Sequence, residues 1–112
     1  MPNESSVATS ASVFRVDKFI VPADALPAFM VRVHHVDRML SSLPGCRQNL
    51  VLARAGDTGE SEVVTLVEWA NTEALLAAKA VMQQSYADEG FDPAVFMQQL
   101  GVRPDMGLYA PA

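Results

Sequence analysis

The chain has 112 residues, of which half are hydrophobic and only 19% charged, and its formal net charge is −5. That suffices for one domain burying roughly two-thirds of the surface of its unfolded chain, lies far from a disordered composition, and lacks the basic stripe of a nucleic-acid binder. The lone cysteine, Cys46, leaves no internal disulfide and no four-cysteine zinc site.

Met1–Ser12 is rich in Ser, Thr, Ala and Asn without periodicity, and is expected to be a flexible tail, ordered only at its end, preceding a domain over residues 13–112. It lacks the basic start and apolar core of a signal peptide. No apolar run approaches the ~20 residues of a bilayer span, so a cytoplasmic protein without membrane contact is expected.

Val13–Val21 alternates: Phe14, Val16, Lys18 and Ile20 fall on one face, Arg15, Asp17, Phe19 and Val21 on the other. This predicts a first strand, closed by Pro22. Asp24 is placed to cap a helix with Pro27 in its first turn. Its apolar stripe runs through Leu26, Met30, Val33 and Leu40, widened by Phe29, Val36 and Leu43. Asp37 interrupts that stripe. The helix is expected to reach about Ser42 and stop at Pro44-Gly45.

Cys46–Arg54 predicts a second strand, and the Gly-rich Ala55–Ser61 a hairpin connection. Glu62–Trp69 is the strongest strand signal in the chain, β-branched and apolar on both faces. Val63, Thr65, Val67 and Trp69 share one face, and Val64 and Leu66 the other. After it, Asn71 or Thr72 caps a second helix with Leu75, Ala78, Met82 and either Tyr86 or Ser85 on its stripe, ended by Gly90. Asp92-Pro93 opens a short helix that Gly101 stops. Val102–Tyr109 contains Pro104 and Gly107, which predicts a short or edge strand.

Strand, helix, strand, strand, helix, strand is the order of a ferredoxin-like α+β sandwich, with helices on one face of a four-stranded sheet. Both sheet faces here are apolar. The uncovered one is expected to self-associate isologously, joining two protomers into a dimeric α/β barrel.

Few residues suggest chemistry. Asp37 reads either as a paired carboxylate at the stripe edge or as a pocket base able to take a proton from an acidic substrate. His34 and His35 are adjacent, so they point about 100° apart on a helix and cannot chelate one metal. They read as solvent or interface residues. Trp69 and Thr65 share a strand face that the helix bearing Tyr86 should cover. The three read either as core or as an aromatic wall with two hydroxyls, suited to a flat oxygenated ligand. The chain has no phosphate-loop pattern, no Gly-x-Ser-x-Gly elbow and no evident activating partner for Cys46.

From Val13 to Tyr109 the chain resembles the antibiotic biosynthesis monooxygenase family. The likeness is carried by Val16-Asp17-Lys18-Phe19 with Val21-Pro22, Leu43-Pro44-Gly45, Val64-Thr65-Leu66-Val67-Glu68-Trp69, Gly90-Phe91-Asp92-Pro93, and Leu100-Gly101-Val102 with Tyr109. The resemblance implies a ferredoxin-like protomer, a homodimer through the sheets, and a pocket between sheet and helices. It also implies oxidation of a small aromatic, phenolic or quinol-type molecule by O2 without flavin, haem or metal. Trp69 matches the family's strand tryptophan, and Thr65 stands where quinol-oxidising members carry Asn. Haem-degrading relatives use a His after the tryptophan, and none follows Trp69 here. Trp69 is thus the expected wall, Thr65 and Tyr86 the substrate contacts and Asp37 the base. The other readings are a small-molecule-binding or stress-associated barrel protein, and an isomerase or cyclase.

Overall fold

The computed structural model describes residues 11–112, so most of the segment read as a tail lies outside the described residues. Its last residue is ordered against the sheet. Ser12 is buried, its hydroxyl donates to Glu68 Oε2 at 2.5 Å and accepts from Arg47 Nη1 at 2.9 Å, and Val13 opens the first strand directly after it.

The elements follow the alternation and the stripes. They are β1 (Val13–Pro22), a 3-10 turn (Ala23–Ala25), α1 (Leu26–Ser41), β2 (Cys46–Ala55), β3 (Glu60–Trp69), α2 (Thr72–Glu89), α3 (Pro93–Leu100) and β4 (Arg103–Tyr109). One sheet holds all four strands in the order β2-β3-β1-β4, every neighbour antiparallel. This is the ferredoxin-like α+β arrangement, with β3 and β1 inside and β4 at an edge, where Pro104 costs no interior ladder bond.

One predicted cap is corrected. Asp24 does not cap α1. It lies inside the 3-10 turn, whose Ala23 N–H donates to Gly59 O at 3.1 Å, and α1 begins behind Ala25 with no side-chain cap. Pro22 and Pro27 set φ on either side of the turn, so the chain tightens before it enters the helix. The other caps form as side chains: Asn71 Oδ1 accepts from Ala74 N–H at 2.8 Å, and Asp92 Oδ1 accepts from the N–H groups of Ala94 and Val95.

Gly45 is required where α1 gives way to β2. Its φ is +85°, and a Cβ there would lie 2.5 Å from that of Ala74. Its carbonyl accepts from Ala70 N–H at 2.8 Å, which ties the start of β2 to the end of β3.

Register sorts the side chains into two faces. Val13, Arg15, Asp17, Phe19 and Val21 of β1 lie opposite Trp69, Val67, Thr65, Val63 and Ser61 of β3, on the face that the helices cover. Two apolar clusters form there. One gathers Phe19, Val21, Ala25, Phe29, Val63 and Val102, with Phe96 and Met97 of α3 packed against it. The other gathers Val67, Trp69 and Ala78, with Leu40, Leu43 and Leu75 around them. Asp17 and Thr65, directly opposite each other in register, belong to neither.

The outer face is uncovered. Phe14, Val16, Ile20, Leu50, Leu52, Val64 and Leu66 form its middle around the exposed Lys18, and the ring of Tyr109 lies against the Gly107 backbone at the β4 edge. Its ends are polar, with Arg54 Nε 2.6 Å from Glu62 Oε1 and Gln48 Nε2 3.0 Å from Glu68 Oε1.

Candidate functional site

Between the two clusters the helical layer stands off the sheet and leaves a cleft of about 460 Å³. Its floor is the inner face of β1 and β3: Arg15, Asp17, Phe19, Thr65, Val67 and Trp69. Each is held there by strand alternation, so the floor is as rigid as the ladder beneath it. One wall is α1, presenting Phe29, Arg32, Val33, Val36, Asp37 and Leu40 at three- and four-residue steps. The opposite side is built by α2, through Leu75, Ala78, Lys79, Met82 and Tyr86, and by the start of α3. Met106 and Leu108 of β4 complete the rim, roughly half exposed although they point to the helical side, because no helix extends over that edge.

All four residues singled out from the sequence line this cleft. Trp69 is only 2% exposed, so it is both a member of the second core cluster and part of the cleft wall. Thr65 lies between the clusters, next to Asp17. Tyr86 faces the cleft from α2 in tilted contact with Phe91, ring centroids 5.5 Å apart, and Phe91 continues to Phe96 at 5.3 Å. Burial raises the Tyr86 phenol above its ordinary value, Arg32 opposes the rise and Glu89 adds to it, so the hydroxyl stays protonated and able to donate. Asp37 is paired by a residue the sequence reading did not name: Asn49 Nδ2 donates to Asp37 Oδ1 at 2.8 Å and to the Asp37 carbonyl at 2.9 Å. Asn49 comes from β2, and the double contact fixes the carboxylate against the sheet.

His34 is exposed. His35 Nε2 lies 3.8 Å from Glu89 Oε2, outside the cleft. Among the described residues no three His, Cys, Asp or Glu side chains gather closely enough to hold a metal ion. Burial, with Asp37 adding to it, raises the thiol of Cys46 above its ordinary value, which disfavours the thiolate.

Sequence reasoning missed three participants. Arg15 and Asp17 meet on the cleft floor, Nε to Oδ1 at 2.7 Å, while Arg15 Nη2 reaches Met106 Sδ at 3.4 Å. The signal was present: alternation puts both on the face of Phe19 and Val21, where a purely structural strand would be apolar throughout. Arg32 is the third. It stands three residues beyond Phe29 and four before Val36, on the covered side of α1. Its guanidinium lies 3.5 Å from the Phe91 ring centroid and 5.7 Å from that of Tyr86, and its Nη2 is 2.7 Å from Glu89 Oε1. An arginine at a stripe edge reads as solvated in sequence, because only the tertiary position of Phe91 gives it a partner.

No protein-family model and no curated protein matches the chain. Solved structures do. A candidate monooxygenase from Shewanella loihica PV-4 superposes with a TM-score of 0.70 at 18% identity, over 92% of this chain and 96% of that one. A dimeric ferredoxin-like protein from an uncultured marine organism gives 0.69 at 11% identity, over 91% and 96%. SnoaB, a cofactor-independent oxygenase from Streptomyces nogalater, gives 0.62 at 20% identity, over 91% and 94%. At these identities the likeness establishes the fold, and at that level it agrees with the resemblance read from the sequence: the chain has the ferredoxin-like fold, matched over nearly its whole described length.

Proposed function

We propose that the chain is a cofactor-independent monooxygenase of the antibiotic biosynthesis type, oxidising a small phenolic or quinol-type aromatic with O2 as a homodimer. The observation that carries the reading is the composition of the cleft. It has the volume of a site for a small ring system, apolar and aromatic walls, and polar side chains confined to a few fixed points, Thr65, Tyr86, Asp37 and the Arg15–Asp17 pair. The fold shared with a cofactor-independent oxygenase supports it.

In this reading Trp69 forms part of the wall against the ring, Thr65 and Tyr86 donate to its oxygens, and Asp37, oriented by Asn49, removes the phenolic proton. The aromatic anion then supplies the electrons. One oxygen atom of O2 forms a new C–O bond at a ring carbon, that carbon loses its hydrogen, and the second oxygen atom leaves as water with the quinone as product. The chain's part is orientation, a dry wall and hydrogen bonds to the anion. The bare apolar sheet face supports the homodimer, since hiding several hundred Å² at ~25 cal/mol per Å² stabilises association by many kcal/mol before its costs.

The test is oxygen uptake by the purified protein with a panel of naphthols and anthrones. Stoichiometric O2 consumption with quinone formation, reduced tenfold or more in Asp37→Asn and in Thr65→Val, is the expected result. Ligand binding without uptake would instead make the protein a binding module, and turnover without O2 an isomerase.

A further inference from the structure

We propose that Arg32 is an anion-recognising residue of the cleft, and that the ligand held there carries a carboxylate on its aromatic ring. The inference deepens the reading of the cleft as an aromatic site and rests on it.

Three observations carry it. First, the Nε of Arg32 is buried and meets no acceptor among the described residues. A buried guanidinium donor without a partner is costly and rare, and a ligand oxygen would satisfy it. Second, the other directions around the guanidinium are already taken. Both Nη atoms face Glu89, at 2.7 Å and 3.5 Å, and one flat side lies 3.5 Å from the Phe91 ring centroid. The edge left over pairs Nε with one Nη, the geometry that accepts the two oxygens of a carboxylate side by side. With Glu89 holding one end and Phe91 one face, that edge is set before a ligand arrives. Third, charge does not oppose an anion. The chain carries −5 overall, yet the cleft lining carries three cations, Arg15, Arg32 and Lys79, against two carboxylates, Asp17 and Asp37, and Glu89 paired with Arg32 from outside the lining brings the local balance only to even.

Phe91 and Tyr86 flank Arg32, so a ring whose acid group meets the guanidinium would have aromatic contacts at that end and the Trp69 wall within the same cleft. A neutral amide of the same shape would keep those contacts but meet that edge with one uncharged acceptor in place of two charged ones.

The experiment is calorimetric titration of 2-naphthoate and of 2-naphthamide, an isosteric acid and its neutral amide, into the full chain without oxygen at pH 7 and low salt. Chemistry plays no part in it, so failure of the oxidation reading leaves its result intact, and failure here leaves oxygen uptake untouched. The wild-type protein should bind the acid at least tenfold more tightly than the amide. Arg32→Gln should remove that preference while holding the amide within about twofold. Equal affinities, binding of neither probe, or a preference that survives Arg32→Gln would overturn the proposal. Should Arg32→Gln fail to fold, Arg32→Lys decides. It keeps the charge but not the Nε–Nη edge, and should lower the preference for the acid to about threefold or less with the amide within about twofold. A preference that Arg32→Lys leaves unchanged would overturn the proposal as well.

Discussion

The two faces of the sheet invert the usual arrangement. The face beneath the helices, where a core belongs, carries an ion pair and a threonine at its centre, while the face without helices is largely apolar, with Lys18 at its centre beside Asp105 of β4 and further charges toward its ends. Burial alone explains neither. Arg15 and Asp17 would be cheaper to keep on the outer face, and Phe14, Val16 and Leu66 cheaper on the inner one. The inversion makes sense if the inner face serves a cleft and the outer face a second copy of the chain. The inner polar row is what keeps the two apolar clusters from fusing into one solid core.

The largest effect should come from charging the outer face. Leu52 is 54% exposed, so Leu52→Glu costs the isolated protomer little. On association it would bury an unpaired carboxylate in each copy, a penalty of about 3–5 kcal/mol. Sedimentation should then show a wild-type dimer and a variant at least a hundredfold weaker in self-association, with its cleft ligands still bound. A wild-type monomer at micromolar concentration would remove the outer face's role from the comparison.

On the inner face, Trp69→Phe should lower stability to denaturant by about 1–3 kcal/mol, because the side chain is part of a packed cluster. It should also weaken an aromatic ligand by roughly fivefold, from about 1 kcal/mol of lost ring contact. Loss of stability with ligand affinity per folded molecule unchanged would reduce Trp69 to core alone.

Much of this architecture was legible in the alternation of single strands. The register that places Trp69, Val67, Thr65 and Val63 together follows from period two. The caps at Asn71 and Asp92, and the stop at Gly90 with φ +66°, follow from residue chemistry. Asp24 misled because a cap is read from its own neighbours, whereas the turn it occupies is set by Pro22 behind it and by a bond to Gly59, more than thirty residues away. The cleft was legible only in part. Trp69, Thr65, Tyr86 and Asp37 could be placed by face and phase. Asn49 as the partner of Asp37, and Phe91 as the partner of Arg32, depend on how helices sit over the sheet, which no single-element period encodes.

A subtler change sharpens the comparison further. Replacing the floor pair by apolar residues of similar size, Arg15→Met with Asp17→Leu, should leave the unfolding free energy within about 1 kcal/mol of wild type or slightly above it. The desolvation cost of this partly buried pair offsets most of its attraction, so ligand affinity should fall while stability holds. A marked loss of stability would show that the ion pair is there for the fold.

The smallest effect is a pH dependence at the outer end of Arg32. The hydrogen bond from Arg32 is the main cause holding Glu89 below its ordinary carboxyl value; burial works against it, and the nearby charges of Arg32 and His35 lower it further. A lowered folded-state value means the pairing stabilises above the ordinary value of 4.5 and is lost as pH falls through the folded one. The difference in melting temperature between wild type and Glu89→Gln should therefore be present at about pH 6 and close below pH 4.5. A difference that persists at pH 3 would mean the glutamine disturbs packing instead.

Trp69 is the chain's single tryptophan, and it points to the inner face. Its fluorescence is therefore a built-in gauge of one side of the sheet. With the indole 2% exposed, emission should lie to the blue in the folded chain and shift red on unfolding, with no other indole to blur the assignment. A ring seated in the cleft should quench it, whereas association through the outer face, with the whole thickness of the sheet between, should leave it nearly unchanged. One chromophore thus separates occupancy of the cleft from pairing of the chains in a single titration.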